Sequence, residues 1–258
     1  MVLEQELHLK PNRSPQAQVS PAGASAWHLE VPAGPEGRYR LAQLDDYADL
    51  ERAAFPWKPG VNLSLRAKAS HNDVPGTWGF GLWNDPFSLS LGFGGGTRRW
   101  PALPNAAWFF FASAPNYLSL RDDLPAQGNL AATFRAPKVP ASLIALGAPA
   151  MPLLLWSPGA RLIRRLGRRF VDQDAVNLDI DSTVWHCYQL DWQMEVVSFR
   201  VDQELVFETR VSPLGPLGLV IWIDNQYAAV PPSGHLSYGT LANPEPAWID
   251  IEGLHMSA

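Results

Sequence analysis

The chain has 258 residues, enough to bury one large core in a single domain. Hydrophobic residues make up 47% and charged residues 17%, and the formal net charge of −5 excludes a nucleic-acid binder that works through a basic surface. The 11 Trp and 24 Pro imply frequent turns and edge strands together with a large aromatic core or a flat aromatic surface.

The opening "MVLEQELHLKPNRS" has no apolar run after a basic cluster, so no signal peptide is expected, and no stretch is long enough to span a bilayer. As it stands the chain reads as cytoplasmic, or as secreted if it has been trimmed at its start. Residues 11–26, "PNRSPQAQVSPAGASA", have the composition of a loose segment, which makes 1–26 a flexible leader and 27–258 a single domain. From Trp27 onward, short alternating runs broken by Gly and Pro predict strands. In "VNLSLRAKAS" (61–70), Val61, Leu63, Leu65 and Ala67 alternate with polar residues. In "GTWGFGLW" (76–83), Trp78, Phe80 and Leu82 fall on one face, while Gly79, Gly81 and Trp83 fall on the other. Glycines on one strand face admit a ligand or a packed aromatic ring close to the backbone. "FSLSLGF" (87–93), "AWFFFASA" (107–114), "NYLSL" (116–120) and "NLAATFRA" (129–136) continue the series.

Residues 140–173 break this rhythm. After an apolar, Pro-interrupted stretch, Leu162, Ile163, Leu166 and Phe170 recur at helical spacing, with Arg161, Arg164, Arg165, Arg168 and Arg169 between them. This helical insertion is expected either to dock by its leucines with its arginines solvated, or to act as a lid, a subunit contact or a weak anchor on acidic lipid. Further on, Tyr188, Leu190 and Trp192 share one face of a strand, and "VSFRVDQELVFET" reads as a hairpin partner. Cys187, the only cysteine, forms no internal disulfide and is expected to be an inert buried thiol.

The pattern W-H-x-Y-x-L-D-W followed by V-x-F-x-V-D-x-x-x-V (185–206) resembles the concanavalin A-like lectin/glucanase jelly rolls, above all glycoside hydrolase family 16. "LSLRAKASHNDVPGTWGFGLW", "PLGLVIWIDNQYA" (216–228) and "PAWIDIEGLHM" (246–256) are similar to further strands of that family in the same order. The resemblance covers most of Trp27 to Met256 apart from the insertion. It implies an all-β fold, a two-sheet antiparallel β-sandwich of the jelly-roll type with a short helical insertion. One departure is Asp202-Gln203, which stands where the family has Asp-Gly at a hairpin turn and so suggests a different turn type.

The family cleaves β-glucans with retention, using a strand that reads E-x-D-x-E or E-x-D-x-x-E a few residues after a Trp-Pro pair. Alternate residues of a strand share a face, and retention needs two carboxyl groups about 5 Å apart. Here Trp100-Pro101 is followed by "ALPNAAWFFFASA", with Ala106, Ala107, Trp108, Phe109, Phe110, Phe111 and Ala112 where the acids would stand. Hydrolysis of the family type is therefore not expected. The remaining candidate acids are Asp224, in "WIDNQY", and Asp85, in "WNDPF"; Asp179, Asp181, Asp250 and Glu252 read as solvent-facing. Trp78, Trp83, Trp100, Trp108, Phe110, Trp222, Asn225 and Tyr227 are the candidate ligand-binding residues. No cofactor is expected, and the histidine spacing offers no metal site beyond a calcium reading of His71-Asn72-Asp73. The Gly-rich "GFGGGTRRW" (92–100) reads as a rim whose Arg98 and Arg99 can meet an anion.

Three functions fit. The first is a non-hydrolytic protein that stacks a glycan in an aromatic cleft. The second is an enzyme or binding protein for a hydrophobic, terpenoid-like or aromatic small molecule under the insertion. The third is a diverged hydrolase with relocated acids.

Overall fold

The computed structural model describes residues 7–86, 99–145 and 148–258. Its strands are β1 (Lys10–Arg13), β2 (Gln18–Gly23), β3 (Ala26–Val31), β4 (Leu41–Asp45), β5 (Val61–Ala69), β6 (Thr77–Trp83), β7 (Ala106–Ala112) and β8 (Gly128–Arg135). They continue as β9 (Asp172–Leu178), β10 (His186–Trp192), β11 (Val197–Val201), β12 (Glu204–Thr209), β13 (Gly218–Asp224), β14 (Gln226–Ala229), β15 (Ser237–Thr240) and β16 (Ala247–Ser257). Two antiparallel seven-stranded sheets face each other, one ordered β1-β4-β13-β6-β7-β8-β9 and the other β12-β11-β10-β5-β16-β3-β2, while β14 and β15 form a separate hairpin. The protein is a jelly-roll β-sandwich.

The core between the sheets follows from period-two alternation. Val61, Leu63, Leu65, Ala67 and Ala69 of β5 point inward, and the intervening residues lie toward solvent. The second sheet shows this one-sided pattern in its central strands, so its outer face carries charge: Arg66 pairs with Glu252 at 3.0 Å, and His28 bonds Asp250 at 2.6 Å. The central strands of the first sheet differ. Every residue of β13, Gly218 to Asp224, is buried, and β6 and β7 are buried in all but one position each. Near-continuous apolar strands need cover on both faces. Leu219, Ile221 and Ile223 enter the inter-sheet core, whereas Val220 and Trp222 belong to a second cluster on the far side.

The start of the chain is ordered rather than loose from residue 10 onward. β1 pairs with β4 and β2 with β3, each at the outer edge of its sheet, and Ala17 between them is fully buried. Edge strands draw on backbone pairing and tolerate Pro11 and Pro21, so they leave little hydrophobic pattern to read. "NYLSL" is likewise not a strand; Tyr117 makes only an isolated bridge to Ala229. Cys187 lies exposed on the outer face of β10 rather than buried. "FSLSLGF" and the glycines of 92–96 fall outside the described residues.

The insertion comprises α1 (Ala141–Ala145), a 3-10 segment (Ala148–Leu155) and α2 (Ser157–Phe170). Its docking is the inverse of the expected one. Arg164 is buried and its guanidinium donates to the carbonyls of Ser119 (2.6 Å), Val230 (2.8 Å), Leu120 and Arg121 (both 2.9 Å) and to the Asp122 carboxylate (2.9 Å). It also lies 5.3 Å from the centre of the Tyr117 ring. Leu162, Leu166 and Phe170 are exposed. A charged group is held inside because a converging set of acceptors replaces its water. No described helix is long and apolar enough to cross a membrane.

The two-residue turn between β11 and β12 has positive φ at both Asp202 (50°) and Gln203 (71°), so the turn keeps the left-handed geometry without the glycine. The Asp202 carboxylate anchors it by accepting the Cys187 N–H at 2.8 Å and contacting His186 Nδ1 at 2.6 Å. Gln203 has no such compensation. Gln203→Gly is expected to raise stability by about 0.5–1 kcal/mol, read as a higher urea midpoint at unchanged slope.

Candidate functional site: an aromatic cluster with a buried acid

The outer face of the first sheet collects the alternate residues of four adjoining strands. Trp108 and Phe110 come from β7, Trp222 and Val220 from β13, Trp83 from β6, and Leu130, Ala132 and Phe134 from β8. Trp108 is the hub: its ring centre lies 5.6 Å from Trp222, 5.8 Å from Phe110, 5.9 Å from Trp83 and 6.0 Å from Phe134. Phe110 stacks in turn on Trp222 at 5.9 Å. Aromatic pairs of this kind contribute about 0.5–1.5 kcal/mol each beyond their burial.

The glycines of β6 make room for these rings. A Cβ on Gly79 would stand 2.9 Å from the Trp222 ring, and one on Gly81 would stand 2.5 Å from Trp108 Cβ. Tyr47, Phe55, Leu124 and Ala126, from flanking loops, cover much of the rest. Phe110 and Trp222 are consequently buried, while Trp83, Trp108 and Phe134 remain half-exposed as one contiguous edge. Most polar atoms near the rings are engaged internally. Trp83 Nε1 donates to the Tyr47 hydroxyl at 2.6 Å, and Trp222 Nε1 donates to Thr77 Oγ1 at 3.0 Å. Trp108 Nε1 is buried with no hydrogen-bond partner among the described residues.

Polar groups lie at the two ends of this face. At one end Asp224 accepts from Thr77 Oγ1 at 2.8 Å, from the Gln226 N–H at 3.2 Å and from the Tyr39 hydroxyl at 3.4 Å. Burial pushes its carboxyl up to about 7, so it is substantially protonated at neutral pH. At the other end Asp45, also raised by burial, accepts from Gln43 Nε2 at 2.8 Å. Beneath it Asp46 is raised to about 6 by burial, against hydrogen bonds from Trp57 Nε1 (2.6 Å) and the Leu219 N–H (2.9 Å). Asp45 pairs across the strands with Val220, four residues from Asp224. Two carboxyls so placed stand roughly 13 Å apart along the strand, beyond the separations that either glycosidase mechanism uses.

The predicted site residues thus divide. Trp83, Trp108, Phe110, Trp222 and Asp224 share the outer face. Trp78 does not: it points into the inter-sheet core and stacks on Phe111 at 6.0 Å. Trp100 is 66% exposed, and its carbonyl accepts from Arg52 at 2.8 Å. Asn225 is fully buried and braces the backbone, accepting from the Arg40 N–H (2.8 Å) and donating to the carbonyls of Arg38 (3.0 Å) and Leu241 (2.7 Å). Tyr227 sits on the β14–β15 hairpin with its ring over Gly239, away from the sheet. Asp85 is buried in an ion pair with Arg99 at 2.6 Å. Arg99 is itself buried and donates to the carbonyls of Tyr47, Ala48 and Leu50, so it is no anion-binding rim residue.

Asn72, from the proposed calcium loop, instead bonds Asp181 and Ser182. Among the described residues no group of three or more His, Cys, Asp or Glu side chains converges as metal ligands do. Tyr39, Thr77, Tyr47 and Phe134 escaped the sequence reading. Thr77 was findable by alternation on the strand it shares with Trp83, but Phe134 reaches Trp108 only through the pairing of β7 with β8, and Tyr39 precedes its strand and carries no pattern.

No known family profile matches the sequence, and no curated protein matches it. Among solved structures, a native glycosidic hydrolase is similar at 11% identity, covering 93% of this chain and 80% of that one with a TM-score of 0.47. The Bacillus licheniformis beta-glucanase is similar at 11% identity, with the same 93% and 80% coverage and a TM-score of 0.45. A LamA variant from Z. galactanivorans, in complex with laminaritriose and laminaritetraose, is similar at 12% identity, 96% and 95% coverage and a TM-score of 0.46. At such identities and scores the likeness bears on neither activity nor ligand.

Because Asp224 binds its proton more tightly folded than unfolded, its contribution to stability is complete below about pH 4. That contribution declines as pH rises toward about 7 and is constant above. Asp46 adds a smaller term of the same sign. Asp224→Asn is expected to remove most of the fall, on the order of a few kcal/mol. Urea melts at pH 4.5 and 8 check this; an unchanged wild-type slope in the variant refutes the assignment.

Proposed function

We propose that the Trp108-centred face binds a flat, largely apolar small molecule and does not hydrolyse glycosidic bonds. The observation carrying this reading is the make-up of β7: its outward positions are Ala106, Trp108, Phe110 and Ala112, none able to move a proton. Val220, Trp222, Leu130 and Ala132 continue this apolar middle on the neighbouring strands, with carboxyls only at the ends. A sugar needs several free hydrogen-bonding partners beside its stacking plane, and here most are engaged internally. Trp83, Trp108 and Phe134 offer the accessible ring surfaces. Asp224, its carboxyl raised to about 7 and linked through Thr77 to Trp222, is a single acid able to donate a proton or a hydrogen bond at one end.

A glycan reading draws on a different observation. Gln43, across the strands from Trp222, and Tyr39, beside Asp224, are half-buried, and Trp100 is an exposed aromatic plane. The separation of Asp45 from Asp224 argues against relocated two-carboxylate hydrolysis.

Native mass spectrometry for a co-purifying apolar molecule, followed by displacement of a fluorescent apolar probe, tests the proposal. Trp108→Phe is expected to preserve the fold and weaken probe binding about tenfold, equivalent to about 1.4 kcal/mol. Binding of laminari-oligosaccharides with tryptophan quenching, together with indifference to the apolar probe, would replace it by the glycan reading. Release of reducing ends from laminarin would overturn both.

A further inference from the structure

We infer that the helical insertion is a docking element for an anionic lipid bilayer, lying in the plane of the headgroups. The buried side of the helix α2 is Gly159, Ala160 and Arg164: Arg164 ties it to the sandwich loops, and Gly159 lies against Leu153 of the 3-10 segment. Leu162 and Leu166 each stand two residues from Arg164, about 200° round the helix axis, so they face directly away from the protein. Leu162 is 48% exposed, Leu166 41% and Phe170 57%, and the preceding turn adds Leu155 at 80% and Trp156 at 62%. A soluble domain gains nothing by presenting such a stripe to water; a contiguous apolar patch marks a contact surface.

The charge beside the stripe selects the partner. Arg161, Arg165 and Arg169 repeat at the same four-residue spacing as Leu162, Leu166 and Phe170, forming a cationic row along one flank. All three are exposed, and none forms an ion pair among the described residues. Arg168 is different: it joins Arg164 on Asp122. Between residues 136 and 171 the sequence holds Lys138 and five arginines but no Asp or Glu, in a chain whose net charge is −5. Long cationic side chains beside an apolar stripe place their stems in the acyl boundary and their heads among phosphates. Trp156, at the helix entrance, suits the headgroup level. A second copy of the chain would bring the same arginine row against itself, which favours the lipid over self-association. Fourteen residues of α2 measure about 21 Å, so the helix is suited to lie on a membrane rather than cross one.

Full-length protein sedimented with phosphatidylcholine vesicles, with or without phosphatidylserine, tests this. Binding is expected to the mixed vesicles, weakening with added salt. The double variant Leu166→Glu/Phe170→Glu changes only exposed positions; it is expected to keep the wild-type melting profile and lose vesicle binding. Arg161→Gln/Arg165→Gln/Arg169→Gln is expected to weaken binding to the mixed vesicles by roughly a hundredfold. The inference fails if the wild type ignores the mixed vesicles. It also fails if the Glu variant binds them undiminished, or if the stripe instead supports a dimer in solution that the Glu variant abolishes. Apolar-probe binding at the Trp108 face is measured alongside; its persistence in both helix variants separates this inference from the ligand proposal.

Discussion

The structure depends on the burial of three neighbouring strands, β13, β6 and β7, on both of their faces. Inward residues such as Ile221, Phe80 and Phe109 meet the second sheet across the core. The outward residues Trp222 and Trp108 meet each other and a set of loop residues. A sheet covered on one side alternates apolar and polar residues, and these three strands replace that alternation with near-continuous burial.

That double burial dictates the chemistry. Indole rings lie over β6 because Gly79 and Gly81 leave room, and any side chain larger than hydrogen at Gly81 would collide with the backbone and Cβ of Trp108. Carboxyls persist only where the rings end. There they sit in apolar surroundings that disfavour their charge, which is why Asp224 and Asp46 hold protons more tightly than ordinary aspartates. The same desolvation that makes the face apolar thus raises the proton affinity of the acids at its ends.

The insertion obeys a different balance. Its helix is fastened by a guanidinium among carbonyl oxygens, and its leucines remain outside. Arg164 has this role because residues 119–122 and Val230 present converging acceptors, and removing the arginine would strand those carbonyls. With the inner side of α2 given to Gly159, Ala160 and Arg164, the apolar side has no internal partner left.

Much of the fold was legible in the chain alone. Alternation in 61–70, 76–83 and 185–201 assigned the strands and divided their residues between two faces, because a period of two ties neighbouring side chains to opposite sides of any sheet. The lack of acids at 106–112 was equally plain, and so was the helical period of 157–170. Tertiary structure decided what these patterns face. Periodicity separates two sides of an element without saying which is inside, so Trp78 went to the core, Trp108 to the outer cluster, and the α2 leucines outward. It alone also ordered the edge strands β1 and β2, whose backbone pairing needs no hydrophobic signature, and set the Asp224 proton affinity, which depends on Tyr39, Thr77 and Trp222 arriving from distant parts of the chain.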